Sequence, residues 1–481
     1  MITKIHTVVN CGIEPIAITI ETETKSGIGI YIVGLPDTAV KESLMRAAVA
    51  VRSYGINIPG KKIIINMMPA VRLNTTNCDL AVAISLIAAS EGSPLPDMDK
   101  WLVIGQLGLD GSVRNINGTV QAILTAKQQS LKGVIIPEAN ASEAALLASD
   151  IPVYPVKTLD EALAVIRQTP AAPDLSEYIL DYSQREDSEY AFLRLTESER
   201  RAVVIAAAGG HPLLIEDRST EKAYDIAQAL RGLLPDMDGA QIQENLAIYS
   251  ITDAEDYGME RPLRIPSYAA SLACMFGGGA ECRPGETALA NNGVLLLDEL
   301  ELWPKPVIIS LCGCYKEKVV TLSRLKGKIK YPANFLPVFA AKVNDGNQDK
   351  WLEKIVPDVF DIATVQVIAK DTDEKPGTDT MLFEKAKDTV ARARQMQIGR
   401  QKDKTNDMLT AAETTIYIKL SDEELNLLDE MVYRLGLNAR AYTRILRIAR
   451  TIADLEDEEK IATRHLIEAA AYRYLDSRQN T

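Results

Sequence analysis

The chain has little histidine: three residues in 481, at His6, His211 and His465. Spread that far apart, each reads as a packing or capping residue rather than a catalyst. Cysteine is thin as well, and only Cys312-Gly313-Cys314 brings two close together. A zinc site wants four ligands, and with no third or fourth nearby the pair reads as structural. Long apolar runs are missing. No stretch of eighteen uncharged apolar residues occurs, and Met1 to Gly12 lacks a basic region followed by an apolar one. Neither membrane insertion nor secretion is supported, and the expectation is a cytoplasmic protein. Positive charge is in deficit: 53 Lys and Arg against 66 Asp and Glu give a net charge of −13. That argues against a basic nucleic-acid-binding surface over the whole molecule and leaves a local basic stripe open.

What is present is apolar material, 47% of the chain, enough for cores in roughly two to four domains. The first ~165 residues alternate short β-branched runs with helical stretches. Strands are expected at Ile16 to Ile20, Gly27 to Val33 and Lys62 to Asn66. Helices are expected at Asp37 to Ser53 and Asp79 to Ala89, and a strand running into a tight Asp-Gly turn at Gly105 to Gly111. Residues Gln168 to Ser188, rich in Pro, Asp, Ser and Tyr, read as a linker. A second unit follows with helix Glu197 to Ala208, strand Leu213 to Ile215 and a helix from about Lys222 to Leu234. It continues with a helix from about Pro306, a two-stranded segment (Val319 to Leu322, Lys328 to Tyr331) and a strand at Leu336 to Ala341. Such alternation implies a parallel sheet with helices on its faces. From ~380 onward the apolar spacing is helical, at Asp422 to Leu435, Ala439 to Leu455 and Leu466 to Leu475. The domains are therefore placed at 1–165, 193–380 and 381–481, with 166–192 as the linker.

Residues 293 to 299 read Gly-Val-Leu-Leu-Leu-Asp-Glu, a buried apolar strand ending in Asp298 and Glu299. In Mg-ATP hydrolysing sites of the P-loop class, the first acid of such a pair holds the magnesium between β- and γ-phosphates. The second polarises the attacking water. The partner loop, G-x-x-x-x-G-K-[ST], works because glycine backbones let several N–H groups converge on phosphate oxygens at the start of a helix. At the expected distance upstream this chain has Glu216-Asp217-Arg218-Ser219-Thr220-Glu221-Lys222-Ala223, which keeps only the lysine.

Several further stretches, in order, carry a resemblance. They are Ile32 to Asp37 with Ala39 to Glu42, Gly105 to Arg114, Ala206 to His211, Gly277 to Gly279, Arg283 to Glu299, Thr321 to Gly327 and Asn438 to Leu455. Together they resemble the Mg-chelatase-like AAA+ proteins of the ComM/YifB family, over nearly the whole chain. The resemblance implies an α/β fold: a Lon-protease-like N-terminal α/β domain, then a P-loop AAA+ α/β domain of Mg-chelatase type with a C-terminal helical lid. It implies a homo- or hetero-oligomeric ring using ATP and Mg2+, with ComM-like members acting on DNA as branch-migration motors during uptake of transforming DNA. Residue by residue, Lys222 matches the lysine on the β/γ-phosphates, Asp298 the magnesium ligand and Glu299 the catalytic acid that positions water. Arg440 matches the second sensor arginine on the lid, and Arg324 stands where the family has an arginine.

The departures gather around one ligand. The loop glycines read Glu216, Ser219 and Glu221, and the magnesium-side hydroxyl reads Ala223. With Asp217, three acids crowd a triphosphate-sized space. Two like charges ~4 Å apart repel by roughly 4 kcal/mol at an effective dielectric near 20, and side chains at glycine positions block close backbone approach. The family's Gly-Gln before the first helix, expected near adenine, reads Leu195-Thr196. Its finger-bearing Asp-Arg-Ile-Asp reads Asp358-Val359-Phe360-Asp361, and its sensor asparagine falls near Ala340 to Asp345, with Asn344 displaced by one.

Plain readings stand beside these. Lys222 is either a relic or a ligand, and Arg440 either a nucleotide contact or one half of an ion pair at a helix junction. Asp79 stands about where a Lon-type protease carries its serine, so peptide hydrolysis is not expected. Three functions remain in view: a degenerate AAA+ scaffold or regulator that has lost efficient ATP binding, a working ATPase that remodels DNA, and an ATP-independent nucleic-acid binder. The third would use Arg440, Arg444, Arg447 and Arg450, whose spacings of four and three share one helical stripe.

Overall fold

The computed structural model describes residues 2–33, 38–58, 60–69, 77–147, 151–178, 185–217, 222–252, 260–279, 282–324, 327–342, 359, 363–369, 380–402, 404–435 and 439–473. Gly34 to Asp37, Arg218 to Glu221, Val343 to Asp345, Asp358, Phe360, Asp361 and Asn438, all used in the sequence argument, lie outside them. The strands are β1 Ile2–Cys11, β2 Glu14–Lys25, β3 Gly29–Val33, β4 Lys62–Met68, β5 Trp101–Val103, β6 Gln106–Leu107, β7 Val113–Arg114, β8 Gly133–Pro137 and β9 Val153–Val156 in the first unit. In the second they are β10 Leu213–Asp217, β11 Leu263–Arg264, β12 Val294–Leu297, β13 Val319–Arg324, β14 Gly327–Pro332, β15 Leu336–Lys342 and β16 Val365–Ala369.

Seven of the first nine form one mixed sheet in the order β3-β4-β2-β1-β5-β8-β9. The alternation Ile16, Ile18, Ile20 directs Ile18 and Ile20 into the core. Helix Asp79–Glu91 is apolar on every side and is buried from Asp79 to Ala89, as such a helix must be. It packs against β1, β2 and helix Thr38–Ser53. Strand β1, not foreseen from sequence, pairs on both edges, antiparallel to β2 and parallel to β5. The expected Gly105–Gly111 strand and turn are present as the short hairpin β6–β7.

The second unit is a five-stranded sheet in the order β11-β12-β15-β10-β16, and every pairing in it is parallel. Helices cover both faces, giving one core around helices Glu197–Gly209 and Lys222–Leu233 and another around helix Lys305–Glu317. The segment read as a linker is not linker throughout. Helix Arg185–Leu193 packs on helix Lys222–Leu233, with Phe192 buried against Phe383 and the Arg231 guanidinium donating to the Ser188 hydroxyl. Its weak periodicity hid it.

From Met381 the chain is helical: Met381–Gln401, Ala411–Tyr417, Asp422–Leu435, Ala439–Leu455 and Thr463–Ala471. This end is knotted to the sheet by a buried polar cluster. Asp407 lies between His211 Nδ1 (3.2 Å), Tyr315 Oη (3.0 Å) and Thr364 Oγ1 (2.5 Å), while His211 Nε2 meets Thr451 Oγ1 at 2.8 Å. Burial pushes the Asp407 carboxyl up. The hydrogen bond and charge of His211, with Arg447 and Thr364, outweigh that and hold it below the usual carboxylate range.

The two α/β units meet where helix Gly239–Tyr249 ends. The Ser250 carbonyl accepts from Gly118 N–H (2.7 Å), its hydroxyl accepts from Val120 N–H (3.2 Å) and donates to Glu143 (2.6 Å), and Asn140 donates to the same carboxyl (3.0 Å). Burial drives Glu143 up to about 7 in spite of these two donors. Among the described residues no helix is long and apolar enough to cross a membrane.

Candidate nucleotide site

Because the five strands are parallel, the C-terminal ends of β10, β15 and β12 lie at one edge of the sheet, where α/β sheets hold ligands. Register fixes the floor of this crevice. Asp217 at the end of β10 is level with Lys342 on β15, and Leu297 of β12 is level with Phe339. Asp298 and Glu299 follow immediately, one strand away from β10. The Asp298 side chain is exposed and accepts from Glu299 N–H (2.8 Å), while its carbonyl accepts from Trp303 Nε1–H (2.8 Å). Glu299 is half-buried with φ +48°, a left-handed backbone uncommon for a non-glycine residue and found preferentially at functional sites. The acid pair is thus presented to the crevice mouth, held by a tryptophan anchor that sequence reading did not single out.

The opposite wall is built differently from a phosphate cradle. A helix N-terminus offers unsatisfied N–H groups and a partial positive charge, and phosphate is their usual guest where glycines clear the way. At the start of helix Lys222–Leu233 the Ala223 N–H instead donates to Asp217 Oδ2 at 3.2 Å. Glu216 and Asp217 are both buried, 0% and 3% exposed. Of the acids the sequence argument set around the phosphates, these two are therefore folded into the protein.

Lys222 is turned inward, 7% exposed. Its ammonium donates to the Arg194 carbonyl at 2.8 Å and stands 3.6 Å from Glu199 Oε2. Glu199 is itself fixed by a capping box, accepting from Thr196 N–H (2.9 Å) while Thr196 Oγ1 accepts from Glu199 N–H. The Thr196-x-x-Glu199 pattern is legible in the sequence as a helix start. That its glutamate would also face Lys222 is not. The segment gripping the lysine, Arg194 to Glu199, is the one the resemblance sets beside adenine.

The arginines are dispersed. Arg440 is exposed on the first turn of helix Ala439–Leu455. Arg324 ends β13, opposite Gly327 in a separate two-stranded ribbon. The arginine stripe is largely committed inside the fold: Arg444 and Arg450 are buried, Arg450 pairs with Asp454 at 3.0 Å, and Arg447 donates to the carbonyls of Asp407 (3.0 Å) and Leu409. Arg440 is exposed and Arg447 half-buried, so the four do not present one exposed stripe. In the first unit, Asp79 is no nucleophile. It is fully buried, receiving Arg46 Nε at 2.7 Å, the Ser43 hydroxyl and Leu107 N–H (3.2 Å).

Profiles for subunit ChlI of Mg-chelatase match residues 20–140 and 191–353, and that for the ChlI C-terminal region matches 383–473. YifB of Escherichia coli is 32% identical over 501 residues, covering 98% of this chain and 97% of its own length. The chain belongs to the Mg-chelatase-like ComM/YifB family. Competence protein ComM of Haemophilus influenzae is 30% identical over 488 residues, covering 96% and 95%. The Mg-chelatase-type match covers four strands of the five-stranded sheet, β10, β11, β12 and β15, and stops short of β16, while the C-terminal match covers the helices after Met381.

Proposed function

We propose that this family member is a Mg-chelatase-like AAA+ protein whose nucleotide site has been converted into internal structure, leaving a scaffold or regulatory subunit of a homo- or hetero-oligomeric ring. In this reading residues 1–165 are a Lon-protease-like domain without protease chemistry, 166–192 the connection, 193–380 the AAA+ core and 381–481 the helical lid. The reading rests on one observation: a protein carboxylate, that of Asp217, takes the helix N–H that a phosphate would take, while Lys222 is consumed by Arg194 and Glu199. ATP and Mg2+, the family's cofactors, would meet a lysine and a helix N–H already engaged by protein groups. Isothermal titration with Mg-ATP should give no saturable binding in the micromolar range, and a micromolar isotherm would overturn the proposal.

A second reading draws on the other wall. Asp298 and Glu299 remain at the crevice mouth, with Glu299 in a constrained backbone. As an active ATPase the chain would use Asp298 for magnesium, Glu299 for water, and Lys222, Arg324 and Arg440 on the nucleotide, with DNA as the remodelled partner. Phosphate release stimulated by DNA and abolished in Glu299→Gln would establish it. A rate that ignores that substitution would remove it.

A further inference from the structure

At the other edge of the five-stranded sheet lies a cavity of about 550 Å³, within the range that holds small ligands. It is lined by the residues that lead into the strands, among them Gly210, Asn292 and Leu336, and by helix Met381–Gln401. The crevice lies past the strands' opposite ends, about 20 Å away at ~3.3 Å per residue along β15.

Four cations line this cavity; Lys404 pairs with Glu413 at 2.5 Å, and the other three, Arg261, Lys318 and Arg394, converge without such a partner. All three are half-buried, and positive charges withdrawn from water are ordinarily paired with carboxylates. Here the partners are neutral. Arg261 donates to the Pro235 and Asn292 carbonyls and to Gln241 Oε1, and Arg394 donates twice to the Ala207 carbonyl. The Lys318 ammonium lies 3.9 Å from the centre of the Tyr315 ring and has no hydrogen-bond acceptor among the described residues. None of the three has a carboxylate within ion-pair distance among the described residues. Burial pushes Lys318 down to about 8 against the attraction of Asp407. Burial, then the neighbouring charge of Arg261, pushes Arg394 down to about 10. Arg261 itself is lowered to about 10 by burial, opposed by Asp236 and Asp238. Those two acids are otherwise engaged: Asp236 pairs with Lys387 at 3.2 Å and Asp238 caps the next helix through Gln241 N–H.

We propose that this cavity binds a small phosphate-bearing ligand, whose charge compensates Arg261, Lys318 and Arg394. A multiply charged oxyanion is the fitting chemistry, because guanidinium and ammonium groups both form charge-assisted hydrogen bonds to phosphate oxygens. Asn334, Gln395 and Thr405 supply neutral polar groups around it. Arg394 belongs to the C-terminal helices and Arg261 and Lys318 to the sheet unit, so the occupied site ties the two together. The inference holds whether or not the crevice takes nucleotide.

Inorganic pyrophosphate is titrated calorimetrically into the full chain in phosphate-free chloride buffer. Saturable binding is expected, weakened about tenfold or more in Lys318→Gln and retained in Lys318→Arg. Gln395→Glu, an exposed change on the cavity wall, should weaken it in the same direction and serves if Lys318→Gln does not fold. Competition by AMP would mark the ligand as a nucleotide, and its failure would mark a free polyphosphate; either supports the site. No binding at about 1 mM, or binding untouched by Lys318→Gln and Gln395→Glu, overturns it.

Discussion

Lys222→Met separates a structural lysine from a phosphate ligand. The amine is 7% exposed, donates to the Arg194 carbonyl at 2.8 Å and lies 3.6 Å from Glu199, which is 1% exposed. Deleting one partner of a buried pair strands the other, at a cost of roughly 3–5 kcal/mol. Glu199 keeps the Thr196 N–H, and methionine refills the space of the lysine stem, so about 2–4 kcal/mol is expected here. For a cooperative unit of 150–250 residues that lowers Tm by about 4–16 °C. Differential scanning calorimetry reads the shift, and a double-mutant cycle with Glu199→Gln isolates the pair: the double mutant should lose less than the sum of the single changes. A lysine waiting for phosphate would behave in the opposite way, because its loss would cost binding and little stability. A Tm within about 1 °C of wild type, together with loss of measurable Mg-ATP affinity, would refute the reasoning.

Asp217→Ala removes a helix cap and should lower stability by about 1 kcal/mol, read as a shifted denaturant midpoint with unchanged slope. Glu143 is held near 7, well above an unfolded carboxyl, so its native proton is retained as pH rises from about 4.5. Stability therefore falls across about pH 4.5–7, and the full penalty stands above that window. Glu143→Gln should match wild type near pH 5 and exceed it by about 1–3 kcal/mol at pH 8, measured by urea unfolding at both values. Equal curves would dismiss the buried carboxyl as the cause. Asp407→Asn leaves His211 without its anionic partner at the sheet-to-helix junction and should cost roughly 3 kcal/mol or more, visible as early loss of amide-exchange protection in Ala439–Leu455.

Periodicity and apolar runs were enough to place most elements of this molecule. Leu80 to Ala89 is buried because that stretch is apolar but for Ser85, and β12 is an interior strand because Val294 to Leu297 is apolar throughout. The ordered motifs carried the family, and the missing loop glycines were plain in the chain itself. Pattern reading left other elements uncalled: strands β1, β5, β8, β9, β11 and β16, and helices Thr119–Gln128, Leu159–Gln168, Arg185–Leu193 and Gly239–Tyr249. The fate of the site was decided only in three dimensions. A sequence lists Asp217, Lys222, Glu199 and Arg194 as separate letters 5 to 28 residues apart. Whether a carboxylate repels a ligand from a loop or caps the helix behind it depends on distances of an ångström or two, and those are set by how β10 and helices Glu197–Gly209 and Lys222–Leu233 pack. The same holds for the arginine stripe. Helical spacing put four guanidinium groups on one line, but only the packing of Ala439–Leu455 determined that Arg444 and Arg450 are buried, Arg447 half-buried and Arg440 exposed.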